Sequence, residues 1–270
     1  MAYTGYENLR ILVVDDFDNF RMTMAKILME HGVQLVDTAV SGNEAMKYCR
    51  EKPYDLILCD YNLGRGKNGQ QILEELRHEG LLRAHSIFIL VSAESSKSIV
   101  MAAYDSEPDA YLTKPITAKS LLQRVDRLLL QRDAMLDVKQ AMENGSLAEA
   151  IDLCQEKIAS ASRYTAQCQK LLGQLYLESE QYSLAERVYT DALEVRPLDW
   201  AKVGLAKVKR MQGDLVTSNQ WLKDVTAENP LCMQAYDELV ETCQAQGNSE
   251  EVQAVLEQAV AISPMALLRQ

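Results

Sequence analysis

Five polar positions in this 270-residue chain each fall at the end of a short apolar run. Asp15 and Asp16 follow the run 11–14, Asp60 follows 56–59, Ser92 follows 87–91, and Lys114 follows 110–112 after one intervening residue. The first run reads as a strand buried on both faces, and two adjacent carboxylates at its end are tolerable only in water or beside a cation. One Asp after a strand is commonly a turn former or a helix cap. Carboxylates, a hydroxyl and an ammonium gathered at the carboxyl ends of several parallel strands are a different matter, because open α/β sheets bind their ligands at that edge.

The elements that must carry these residues are legible from periodicity. Apolar runs at 11–14, 35–39, 56–59, 87–91 and 110–112 alternate with amphipathic patterns: Phe20, Met24, Ile27 and Leu28, ended by Gly32; 45–49; Ile72, Leu73 and Leu76; 99–103; and Leu121, Leu122, Val125, Leu128 and Leu129. Five strands alternating with five helices imply a doubly wound α/β fold with a parallel sheet, since parallel neighbours need crossover helices that cover both faces.

From about Asp133 the strands vanish and a repeat begins. In the stretch 171–197, Leu172, Gly173, Tyr176, Ala185, Tyr189, Ala192 and Pro197 resemble the tetratricopeptide pattern, with Gln169 where its tryptophan belongs and Trp200 out of register. The register recurs at Leu205-Ala206 with Pro230 and at Leu239-Val240 with Pro264; Gly213 and Gly247 fall at turns, and a weaker unit has Gly145 as its turn with Ala150 and Cys154 on its second helix. Small residues such as Gly173, Ala185 and Ala192 let helices approach, with Tyr176 and Tyr189 filling the space beside them. A single such hairpin cannot bury its apolar face, so the resemblance implies a stacked all-α superhelix over 131–270, about four helix pairs, whose groove takes a protein or peptide. No Gly/Ser-rich or Pro-rich linker precedes it, and the helix after Pro115 is expected to run nearly into the first repeat, a fairly stiff junction.

Composition restricts the rest. A formal charge of −11 and a pI near 4.9 argue against a nucleic-acid surface. No stretch is long enough to span a bilayer and the N-terminus lacks a signal-peptide core, so a cytoplasmic location is expected. The six cysteines form no CxxC pair and read as buried thiols, while the three histidines lack ligand spacing. The helical half has no P-loop, no HExxH, no nucleophile elbow and no helix-turn-helix signature.

The segments LVVDD, DLILCDYNL, ILVSAE and YLTKP, with the placements above, resemble the receiver domain of two-component response regulators over residues 1–130. The resemblance implies a flavodoxin-like five-stranded sheet of order 2-1-3-4-5. It makes Asp60 the acceptor of a phosphoryl group from a histidine kinase or phosphotransfer protein. Asp16, Asp60 and the backbone carbonyl of Asn62 would hold Mg2+, with Asp15 acting through water. Lys114 would contact a phosphoryl oxygen and Ser92 would donate its hydroxyl to one, while Tyr111 turns inward as Ser92 moves and so alters the surface made by the fourth helix, fifth strand and fifth helix. Asn62 and Glu94 stand where receivers tune the attacking water, and their types match chemotaxis-type receivers with short-lived phosphoryl states. No enzymatic activity is implied beyond Mg2+-dependent self-phosphorylation and autodephosphorylation. The chain departs from the family after Asp60, with Gly64 where proline is usual and one extra residue before Gly69, and Arg65 and Lys67 make that loop locally basic. Two outputs are compatible with the sequence: a phosphorylation-controlled interaction protein, which could homodimerise, or a constitutive scaffold whose receiver is a phosphate sink.

Overall fold

The computed structural model describes residues 3–64, 66–83, 85–93, 108–160 and 162–262. Glu94 and the helical pattern at 99–103 lie outside the described residues. The chain divides into two compact units, Met1–Leu136 and Asp137–Gln270.

The first unit contains β1 (Arg10–Val14), α1 (Asp18–Glu30), β2 (Leu35–Ala39), α2 (Gly42–Glu51), β3 (Leu56–Asp60), α3 (Gly69–His78), β4 (Ile87–Ser92), β5 (Ala110–Thr113) and α4 (Ala118–Ala134). The five strands are all parallel and lie in the order β2-β1-β3-β4-β5. Side chains alternate across a strand, which explains why the inner strands carry unbroken apolar runs. Leu12 and Val14 join Ile57, Cys59, Phe88 and Leu90 in a buried cluster with Met46 of α2 and Ile72, Leu73 and Leu76 of α3. Ile11 and Val13 join Leu56, Leu58, Ile89 and Val91 on the other face, with Met24 and Leu28 of α1 and Leu121, Val125 and Leu129 of α4. Each fully buried aliphatic or aromatic side chain of this kind contributes about 1.5–3 kcal/mol. The helices begin at side chains that occupy their first free amides. Ser41 caps α2, and reciprocal Asn68–Gln71 and Thr117–Ser120 boxes open α3 and α4.

The second unit has eight helices among the described residues: α5 (Leu136–Glu143), α6 (Leu147–Ala159), α7 (Thr165–Glu178), α8 (Tyr182–Val195), α9 (Asp199–Met211), α10 (Leu215–Glu228), α11 (Met233–Ala245) and α12 (Ser249–Ile262). Each of these from α6 onward packs on the next in sequence, and α9 also touches α7 and α11. The first helices of successive pairs start at Thr165, Asp199 and Met233, a step of 34 residues each time. Side-by-side packing of first helices leaves a concave cavity of about 540 Å3, whose lining includes Lys170, Trp200, Lys207, Asp237 and Glu241.

One packing detail fixes this stack. The Tyr189 ring of α8 is 2% exposed and lies between two glycines. A Cβ on Gly173 of α7 would come within 2.4 Å of its Cζ, and one on Gly204 of α9 within 2.5 Å of its Cε1. Any larger residue at either position would collide with the ring. The helix turns are equally specific. Gly145, Gly213 and Gly247 adopt left-handed backbone with φ of 72°, 85° and 72°, and Glu180, at the matching turn between α7 and α8, adopts φ 58° without being glycine. All six cysteines are unpaired, and burial pushes the Cys49 and Cys154 thiols up to about 12, so both stay protonated. Among the described residues, no helix is long and apolar enough to cross a membrane.

Candidate functional site

Strand register brings the polar residues together. Val14 pairs with Cys59, so Asp15 and Asp60 emerge side by side; Asp60 pairs with Val91 and Ser92 with Thr113, which places Ser92 and Lys114 along the same rim. The ladder bonds continue past the strand ends, with the Asp15, Tyr61 and Lys114 amides donating to the carbonyls of Ala39, Val91 and Ser92. Backbone hydrogen bonds therefore hold the rim in place, not side-chain packing alone. Gly69, at the start of α3, lets that helix close onto β3, because a Cβ there would lie 2.4 Å from the Asp60 carbonyl oxygen.

Lys114 Nζ donates to Asp15 Oδ2 at 2.8 Å and to Asp60 Oδ2 at 3.1 Å. Its peptide bond to Pro115 is cis. The other oxygen of Asp15 accepts from the Phe17 amide at 2.8 Å. Asp16 is exposed, and ligand atoms of Asp15, Asp16 and Asp60 all lie within 4.8 Å of one another. Asn62 lies in the exposed loop after β3 and accepts from the Gly64 amide through Oδ1. Gly64 has φ 70°, and a Cβ on it would come 3.2 Å from Asp16 Oδ2, so the loop lies close against the acidic cluster. Ser92 is buried at the end of β4, and Tyr111, paired with Leu90, belongs to the same buried cluster as α2 and α3.

The electrostatics follow from this geometry. Burial raises the Asp60 carboxyl to about 6, against the lowering effect of Lys114 and with further repulsion from Asp15 and Asp16. Burial also opposes the charge on Lys114, yet its bonds to Asp15 and Asp60 outweigh it and raise its value. The cluster holds three carboxylates, and one ammonium bonds to two of them, so the formal excess of two negative charges matches one divalent cation. The donor set is all oxygen and partly open to water, as Mg2+ prefers. The residues present thus fit such an ion.

Two residues absent from the sequence-based set belong to this site. Arg21, 7% exposed, donates through Nη1 to the Asp15 carbonyl at 2.7 Å and through Nη2 to Asp18. It sits in the buried stripe of α1 with Met24, Ala25 and Leu28, and a cation in an apolar stripe is a signal the sequence does contain. Phe20 lies under Lys114, with Nζ 4.2 Å from the ring centroid.

Residues 11–126 match the family model described as response regulator receiver domain. The regulatory protein VanRB of Enterococcus faecalis is 34% identical over 128 residues, 47% of this chain and 56% of VanRB, so the chain spans about half the length of that relative. Chemotaxis protein CheY-3 of Vibrio cholerae is 26% identical over 122 residues, 45% of this chain and 92% of its own length. Among solved structures, response regulator TrrA of Thermotoga maritima in complex with Mg2+-BeF is 31% identical and covers 45% of this chain and 99% of its own, with a TM-score of 0.40.

Proposed function

With residues 11–126 a response regulator receiver domain, we propose that the chain is a two-component response regulator that accepts a phosphoryl group on Asp60 and passes the change to a protein partner through tetratricopeptide-type repeats. The observation that carries this reading is the clustering of Asp15, Asp16 and Asp60 at the sheet rim, two of them, Asp15 and Asp60, bonded to one lysine. An Asp60 carboxylate oxygen attacks phosphorus, forming a P–O bond. The P–N bond of a phosphohistidine in a kinase or phosphotransfer protein breaks, and its electron pair stays on the imidazole nitrogen. Mg2+, held by Asp15, Asp16, Asp60 and the main-chain carbonyl of Asn62, would neutralise charge on the transferring group.

Lys114 contacts the phosphoryl oxygens as a point charge, its two carboxylate contacts being exchangeable for a phosphate contact. Ser92 donates its hydroxyl to a phosphoryl oxygen. Because Leu90 of the same strand pairs with Tyr111, movement at Ser92 biases the Tyr111 ring and the surface beside it, a population shift limited by the extra contacts the phosphoryl makes in one state. Asn62, with Glu94, tunes the lifetime of the acyl phosphate through the attacking water. The repeat register, the glycine turns and the concave cavity support a groove for a protein segment in the second unit.

Incubation with a radiolabelled small acyl phosphate and Mg2+ tests the reading. We expect label on the wild-type chain and at least a ~100-fold loss in Asp60→Asn, since the nucleophile is gone. Equal labelling of both would contradict it.

A further inference from the structure

Lys114 is held on three sides. Two are the carboxylates of Asp15 and Asp60, and the third is the face of Phe20 at 4.2 Å from Nζ. The ring is fixed. Phe20 stands in the first turn of α1 and packs against the buried cluster on that side of the sheet. The same turn is tied to the rim through the Phe17 amide on Asp15 Oδ1, the Arg21 amide on the Phe17 carbonyl, and the Arg21 guanidinium on the Asp15 carbonyl.

We propose that Phe20 is a positioning residue for phosphoryl transfer: its ring keeps the Lys114 ammonium beside Asp60 when the carboxylate oxygens are otherwise engaged. The inference rests on the reading of Asp60 as the phosphoacceptor. An ammonium has three donor hydrogens, and here two go to carboxylates. Both carboxylates belong to the set that fits a divalent cation, so their oxygens are the contacts Lys114 loses when the site is loaded. Attraction to a ring face survives that exchange, because the quadrupole binds no metal and titrates with nothing. The Lys114 side chain is 18% exposed, so water at the rim is a weak substitute for the ring. Without the ring, a flexible four-carbon stem would let the ammonium swing toward solvent.

The test is a double-mutant cycle on the full chain, with acetyl phosphate and saturating Mg2+ and the labelling rate constant as the readout. Phe20→Leu should slow labelling about tenfold, and Phe20→Tyr, which keeps the ring, should stay within about twofold of wild type. In the Lys114→Gln background, Phe20→Leu should have no further effect, because the ring then has no cation to hold. Phe20→Met, similar in volume and without a ring, replaces Phe20→Leu if the latter's thermal midpoint drops. Wild-type rates for the ring-less variants, or equal slowing in both backgrounds, would overturn the inference while leaving Asp60 in place. Persistent labelling of Asp60→Asn would instead remove the phosphoacceptor reading itself.

Discussion

Glu238, in the helical stack, is 8% exposed and meets two cations: Arg210 Nε, and Lys207 Nζ at 3.7 Å. At the sheet rim Asp15 and Asp60 are 1% and 6% exposed, share one ammonium, and have a third carboxylate beside them. The same kind of group is over-compensated in one unit and under-compensated in the other. A buried charge surrounded by its counter-charges is structural, since removing one partner exposes the rest to desolvation cost. A buried charge short of counter-charge is held against its own preference, and that shortfall is what a metal ion and a phosphoryl group can exploit.

This contrast can be broken experimentally. The largest effect belongs to packing in the stack. Tyr189→Ala should destabilise the second unit by about 3–5 kcal/mol, because it empties the space that Gly173 and Gly204 leave for the ring. Chemical denaturation with far-ultraviolet circular dichroism measures it; a loss under 1 kcal/mol would mean that the helices do not depend on that ring.

The two charge sites should then respond with opposite signs. Glu238→Gln should cost about 2 kcal/mol, since Arg210 and Lys207 lose their shared anion. Asp60→Asn, measured without Mg2+ at pH 7.5, should stabilise the first unit by about 1–2 kcal/mol, a figure reduced for screening at the open rim. The sign follows from proton uptake. Asp60 titrates near 6 in the folded chain and about 3.9 when unfolded, so between those values the folded state binds more protons and loses stability as pH rises. That decline through pH 4–6 should be absent from Asp60→Asn. Destabilisation by both substitutions would erase the distinction between the two sites.

The smallest expected effect concerns the turn between α7 and α8. Glu180→Gly should stabilise by about 0.5–1 kcal/mol, because it relieves a side chain held at φ 58°. Thermal denaturation would show it as a rise of a few degrees, and a fall would mean that the Glu180 side chain contributes contacts beyond its backbone strain.

Much of this was legible in the sequence for physical reasons. Strands buried on both faces leave continuous apolar runs, and the observed strands begin or end within one residue of those runs. In β3 and β4 the extra residue is Asp60 or Ser92 itself, so the functional group is the last member of the ladder. Lys114 and the acidic pair were legible because chain order along parallel strands sets which ends share a rim. The ring under Lys114 was not, since it depends on the angle at which α1 crosses the sheet. Arg21 left a trace as a cation in an apolar stripe. The Glu180 turn left none, because a non-glycine residue in left-handed backbone is imposed by the helices on either side.

The most direct measurement is a carboxyl-carbon nuclear magnetic resonance titration of Asp60 with and without Mg2+. The account predicts a midpoint of about 6 in the metal-free chain and a fall of more than about one pH unit with Mg2+, as the cation supplies the missing counter-charge. A midpoint unmoved by Mg2+ would contradict it.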